Sequence, residues 1–338
     1  MTTPLLQTEN RVWRTYKGGK RLDAFLGKAQ CVDTDYPEDW ISSFVEAKNK
    51  NYIPGEGISQ VIQNGKILSI CDAVQEADFG PGRSNSGVLI KLLDASERLG
   101  IQVHPTKEFA LQHFGTPYGK TECWHILDAD EDAAIYIGFQ KGITKEIWAD
   151  LFMRQDIPGM LDQMHRFPVK RGDTILVTAG TPHAIGAGCF LLEVQEPTDY
   201  TMRVEKITVS GAALTPHQIH YGVGEEALLD CFLYDGRTRE EARSKYFLLP
   251  EQKNAQPGYD ALVTYEHTPC FALERVTQGV VAFTPDCFVT IVVTEDSRIT
   301  FGEETNDYRK GDKILVPYGC GRIRIERGKI LICYPPKV

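Results

Sequence analysis

Two stretches decide the fold: RGDTILVTAGTPHAI, residues 171–185, and KGDKILVPYGCGRIR, residues 310–324. Gly172, Asp173, Ile175, Leu176, Val177 and Gly180 of the first recur as Gly311, Asp312, Ile314, Leu315, Val316 and Gly319 of the second, at a constant offset of 139 residues (Gly172 to Gly311). Each copy reads as a Gly-Asp turn, a buried strand, and a second tight turn that needs glycine. The repeat predicts two related β-barrels, joined within the polar stretch Leu249–Tyr259. The copies differ at one position of chemical weight. Three residues after the second glycine the first has His183 and the second Arg322. A metal-ligand side chain is present in one copy and missing from the other, so the pattern predicts one metal site, in the N-terminal barrel.

Working outward, short runs rich in Val, Ile and Leu dominate the chain: Gly87–Leu93, Ile101–His104, Phe190–Val194, Phe288–Val293 and Lys329–Tyr334. Gly, Pro and Asp turns punctuate them, the signature of a sandwich or barrel. Helical periodicity is confined to Thr144–His165, read as two short helices broken near Pro158, and to residues 215–247. These helices interrupt the strands and do not alternate with them, which excludes a doubly wound α/β fold. The expectation is a mainly β chain of two jelly-roll barrels with a small helical insertion. Residues 1–250 form the metal-binding unit and 251–338 a unit without ligands.

The 338 residues suffice for two compact domains with real cores. A net charge of -9 argues against nucleic-acid or anionic-membrane partners. The start, MTTPLLQTENRVW, has no basic segment followed by an apolar run, and no stretch approaches the roughly 20 apolar residues of a membrane span. Nine irregularly spaced cysteines fit reduced thiols in a cytoplasmic protein. Nothing in the pattern sets an oligomeric state.

Gln102 and His104 stand two apart in LGIQVHP, so on a strand they face one side, and Pro105 then ends that strand. Glu122 opens another strand-like run in GKTECWHIL, and His183 arrives from GTPHAIG. One amide oxygen, two imidazoles and a carboxylate make an N/O set suited to zinc or another first-row divalent ion, and more to a catalytic than to a closed structural site. Taken singly, each of the four is an ordinary strand or surface residue. Their combination with the repeat is what points to metal.

GDTILVTAGTPHAI resembles the second cupin motif, although Thr178 stands where cupins usually have proline, a residue the second copy keeps as Pro317. VLIKLLDASERLGIQVHP, GKTECWHILDA and GTPHAIGAGCFLLEVQEPTDYTMRVE are similar to the signature blocks of type I phosphomannose isomerases, and VWRTYKGGKRL and the C-terminal copy extend the likeness over nearly the whole chain. The resemblance implies reversible conversion of mannose 6-phosphate and fructose 6-phosphate, with one zinc on Gln102, His104, Glu122 and His183. It implies a catalytic arginine at Arg203, a lysine near the substrate at Lys120 and an acid beside the metal at Glu193. The proton carrier is Glu193 or Lys120. One departure bears on substrate choice: short bacterial members carry a YDWGR-like block after the arginine, and here the chain runs Arg203-Val-Glu-Lys-Ile-Thr. Other readings of the same scaffold are an isomerase or epimerase for a different phosphorylated sugar, a metal oxygenase, and a non-catalytic sugar-phosphate-binding protein.

Overall fold

The computed structural model describes residues 2–253 and 255–338. Among them, the strands form three antiparallel sheets. A seven-stranded sheet runs in the order Phe247–Leu248, Thr174–Val177, Glu122–Ala129, Cys189–Gln195, Leu89–Ala95, Glu38–Ile41, Arg11–Val12. A five-stranded sheet runs Met164–Pro168, Ala134–Phe139, His183–Ile185, Gln102–Val103, Met202–Arg203. Trp124, Ile126 and Leu191 of the first sheet share one apolar core with Ile135, Ile137, Phe167 and Ile185 of the second, so the two pack face to face. The fold is mainly β, as expected. The sheets stay open at their edges, a sandwich of the jelly-roll kind held by side-chain packing, and no closed barrel forms among the described residues.

The repeat is a structural one. Thr174–Val177 and Lys313–Val316 are both fully buried strands. Gly172 and Gly311 both have φ 94°, and Gly180 and Gly319 have φ 81° and 83°, a region open to glycine at little cost. The turns bond alike: Asp173 Oδ2 accepts from Lys170 N at 3.0 Å, and Asp312 Oδ2 from Arg309 N at 2.8 Å.

The C-terminal strands curl around a second core of Ile291, Val293, Ile299, Ile314, Ile325 and Ile332. They belong to an eleven-stranded sheet that also takes in Leu5–Gln7, Gln60–Gln63 and Lys66–Ser69. Strand Leu5–Gln7 pairs directly with Lys313–Val316. Strands that precede residue 250 are therefore hydrogen-bonded into the sheet of residues 251–334, and a cut at 250 would strip that sheet of three strands.

Strand alternation decides what each face does. On Cys189–Gln195, Leu192 and Val194 face the C-terminal unit, where they meet Leu273, Val292 and Leu331. Leu191 faces the inside of the sandwich, which puts Glu193 inside too. On Glu122–Ala129 the same rule puts Glu122 inside with Trp124 and Ile126. Helices Lys145–Arg154, Ile157–Asp162, Pro216–His220 and Glu225–Asp230 cover the outer face of the five-stranded sheet through Trp148, Phe152, Met160, Ile219 and Leu228. The break between the first two falls at Gln155, whose left-handed backbone (φ 52°) ends one helix before Asp156 caps the next. Among the described residues no helix is long and apolar enough to cross a membrane. All nine cysteines are free thiols.

The seam between the two units holds a buried ion pair, Lys313 Nζ on Asp39 Oδ2, with both side chains at 3% exposure or less. Removing one partner of such a pair strands the other charge. Lys313→Ala should therefore lower unfolding free energy by roughly 3–5 kcal/mol, read from urea denaturation. A loss under about 1 kcal/mol would assign the pair no structural weight.

Candidate metal centre

The inward-facing polar residues gather at one end of the sandwich because the strand registers bring them there. His183 and Arg203 each pair directly with Gln102 on the five-stranded sheet. On the facing sheet Glu193 pairs with Lys91, and Gln195 with Glu122. The ligand atoms of His104, Glu122 and His183 lie within 4.8 Å of one another, and all three residues are buried. Gln102 joins them, its Nε2 position 3.1 Å from His183 Nε2. An amide turned about its own axis presents oxygen at that point instead.

Both imidazoles are oriented from behind. His104 Nδ1 lies 3.1 Å from the Tyr200 carbonyl and His183 Nδ1 2.9 Å from the Thr181 carbonyl. A carbonyl only accepts, so each Nδ1 carries the proton and each Nε2 turns a lone pair toward the centre. Burial pushes the pKa of both rings down, and Lys120 adds to the effect at His104, which keeps them neutral. Glu122 Oε1 accepts from Trp124 Nε1 at 3.0 Å. Its Oε2 lies 3.0 Å from His104 Nε2 and 3.1 Å from Lys120 Nζ, yet is buried without a hydrogen bond of good geometry. Burial opposes ionisation of Glu122, but Lys120 and His104 outweigh it and hold its pKa well below the usual carboxylate range. Two inward lone pairs, an ionised carboxylate with a spare oxygen and an adjacent amide fit a divalent cation. The Lys120 ammonium between His104 Nε2, at 2.9 Å, and Glu122 marks the same spot as one that accepts positive charge.

Of the other expected residues, Glu193 is 3% exposed and faces Lys91 Nζ at 2.9 Å. Burial raises its pKa, repulsion from Glu122 adds to that, and Lys91 opposes both. Lys120 is 3% exposed, and burial lowers its pKa. Arg203 Nη1 donates to the carbonyls of Thr201 at 3.1 Å and Gln218 at 2.7 Å. It has no ion-pair partner among the described residues, because Glu205 is taken by Arg98 and Glu193 by Lys91. Gln102, Lys120, Glu193 and Arg203 line one cavity of about 40 Å³. Small-molecule sites usually need about 300 Å³ or more, so the walls must move apart for a ligand. A cleft of about 990 Å³ around Arg21, Asp94, Asp130 and Arg166 lies at the other end of the strands and includes none of these residues.

Sequence reasoning missed the cluster behind Glu193. Lys91, which with Asp94 interrupts the otherwise apolar strand Leu89–Ala95, bridges Glu193 and, at 3.7 Å, Glu38. Glu38 also accepts from Arg14 Nε at 2.9 Å, Trp40 Nε1 at 2.7 Å and Tyr16 OH at 2.7 Å. Arg14 then grips Asp199 with both terminal nitrogens, each at 3.2 Å. The available signal was a charged residue flanked by apolar ones in the middle of a strand.

No family model matches the chain. It is 32% identical over 247 residues to a mannose-6-phosphate isomerase of Streptococcus mutans (70% of this chain, 71% of that protein), and 30% identical over 240 residues to mannose-6-phosphate isomerase ManA of Bacillus subtilis (71% of each). In fold it is similar to the crystal structure of the Bacillus subtilis mannose 6-phosphate isomerase (TM-score 0.76, 22% identity, 98% of this chain and 99% of that one). It is also similar to a zinc-bound mannose 6-phosphate isomerase (TM-score 0.74, 14% identity, 99% of this chain and 100% of that one). The fold and site thus define a mainly β protein with a buried cluster of side chains that could hold a metal. Within that class, the chain belongs to the mannose-6-phosphate isomerase family.

Buried Glu38 gives the centre an acid-sensitive part. Burial alone would raise its pKa, but Arg14, Lys91, Trp40 and Tyr16 hold it well below the ordinary 4.5. A depressed carboxylate contributes stability that is present above its unfolded pKa and lost as pH falls through the folded one. The melting temperature should fall on acidification below about pH 4.5, and Glu38→Gln should make that fall shallower. Equal slopes for both proteins would remove Glu38 from the acid response.

Proposed function

We propose that this chain is a zinc-dependent aldose–ketose isomerase that interconverts mannose 6-phosphate and fructose 6-phosphate through an enediol. The observation that carries the reading is the convergence of two oriented Nε2 lone pairs and a carboxylate oxygen without a hydrogen bond, next to a small cavity lined by Gln102, Lys120, Arg203 and Glu193. Family membership supports the substrate. Gln102, His104, Glu122 and His183 would hold the metal, which when bound polarises the sugar oxygens and offsets charge that develops on them.

The reaction moves one proton between C1 and C2. Glu193 is the first candidate to carry it: a carboxyl with raised pKa exchanges a proton near neutral pH more readily than an ordinary one. Lys91, opposite it in register, keeps that carboxylate from leaving the pocket. Lys120 is the second candidate, since burial makes its ammonium easier to deprotonate, and its other role is as a charge anchor for substrate. Arg203 has a planar guanidinium with several donors and is tethered by two carbonyls. Its remaining donors suit the negative oxygens of an enediolate, and preorganised donors of this kind are the largest usual source of rate.

His183→Ala should lose zinc, measured by elemental analysis, and isomerase activity together. Full activity in a metal-free preparation of that variant would refute the ligand assignment. Arg203→Ala should lower kcat by roughly 10²–10³ with zinc still bound. A rise in KM alone would make Arg203 a binding residue.

A further inference from the structure

A separate cavity system runs along the seam between the two units. One chamber, about 380 Å³, is lined by His125, Arg171, Arg275, Thr277, Thr294 and Lys329 among others. A second, about 240 Å³, shares Leu127, Arg171 and Thr294 with it and adds Phe25, Phe190, Lys310 and the ion-paired Arg21 and Asp128. Arg171 belongs to the turn that opens the first repeat copy. Arg275, Thr294 and Lys329 come from strands of the C-terminal sheet. His125 lies on the same strand as Glu122 but at an odd spacing, so it faces the seam and not the metal-ligand cluster.

The first chamber carries three cationic side chains and no carboxylate in its lining, on a chain of net charge -9. Arg275 and Lys329 reach carboxylates outside it, Asp260 at 2.8 Å and Glu295 at 2.6 Å. Arg171 is exposed and has no ion pair or side-chain hydrogen bond among the described residues. Arg275 Nε is buried without a partner. His125 is 4% exposed, its Nδ1 lies 2.9 Å from Thr174 Oγ1, and its Nε2 has no partner among the described residues. When the Thr174 hydroxyl donates to Nδ1, Nε2–H is a neutral donor directed at the chamber. Gly172 keeps its backbone close by: a Cβ there would stand 4.0 Å from Arg275 Nη1. Burial, with Arg275 and Arg171 adding to it, pushes the His125 pKa down to about 3.

We propose that the seam chamber around Arg171, Arg275, Lys329 and His125 is an anion site that takes the phosphate group of a small metabolite. The neighbouring chamber, with Phe25, Leu127 and Phe190, receives an apolar or ring portion of the same molecule. Because the lining comes from both units, binding ties them together and raises thermal stability by mass action.

The test uses the full chain, with inorganic phosphate, pyrophosphate and adenosine 5′-monophosphate as probes in titration calorimetry and thermal-shift measurements. The expected result is one site per chain for at least one probe that mannose 6-phosphate does not compete away. Arg171→Glu should weaken it at least tenfold while leaving kcat and KM of the isomerase unchanged without probe. Lys329→Gln should weaken it in the same direction and serves if the first variant fails to fold. Tighter binding of the nucleotide assigns the site to phosphate esters, and equal or tighter binding of pyrophosphate assigns it to free anions. A wild-type chain with no probe site outside competition by mannose 6-phosphate, or variants whose affinities stay within twofold, would overturn the proposal.

Discussion

The structure depends on one electrostatic constraint: ionised groups buried inside a β-sandwich must neutralise one another. Lys91 sits between Glu193 and Glu38, Arg14 between Glu38 and Asp199, and Lys120 beside Glu122. Taken out of water alone, any of these charges would cost several kcal/mol, on the order of the whole stability of a domain. Held as a chain of pairs they persist. The uneven sharing leaves Glu193 with a raised pKa, Glu122 with a depressed one, and a Glu122 oxygen with no hydrogen bond of good geometry. That asymmetry is the raw material of the chemistry.

Strand register is what makes the chain of pairs possible. A cross-strand pair places Lys91 opposite Glu193, and the neighbouring strands set Glu38 and Glu122 on the same inner face. A slip of one residue in any of these strands would turn its charges outward into the apolar seam with the C-terminal unit. That seam, filled by Ile90, Leu92, Leu192, Val194, Val292 and Leu331, strongly penalises such a slip. Among the described residues the C-terminal unit shows no cluster of three or more His, Cys, Asp or Glu that could hold a metal, and Arg322 stands at the position that matches His183. It still fixes the register on which the centre rests, through this apolar contact and the Lys313–Asp39 pair.

Much of the fold was legible because the repeat carries its own geometry. Gly172 and Gly311, Asp173 and Asp312, and the strands after them recur in backbone angle and hydrogen bonding as they do in letters. The metal-ligand candidates were legible for a related reason: histidine and glutamate inside strand-like runs are out of place unless they serve something. Arg14, Tyr16, Glu38 and Asp199 were not legible. Arg14, Tyr16 and Asp199 stand in loops and Glu38 at the start of a short strand, places where a charge or a tyrosine is ordinary, and only burial against a distant partner makes them otherwise.

By itself the sequence determined the class of architecture, the contrast between His183 in one copy and Arg322 in the other, and which side chains are candidate donors. Those follow from local rules, namely alternation along a strand, the backbone freedom of glycine and the chemistry of single side chains. Only the tertiary structure decided which distant charges neutralise one another, that Arg203 is left without an acidic partner, and that strands from the first seventy residues complete the C-terminal sheet. Such outcomes depend on contacts between residues up to some three hundred positions apart, which no local pattern encodes.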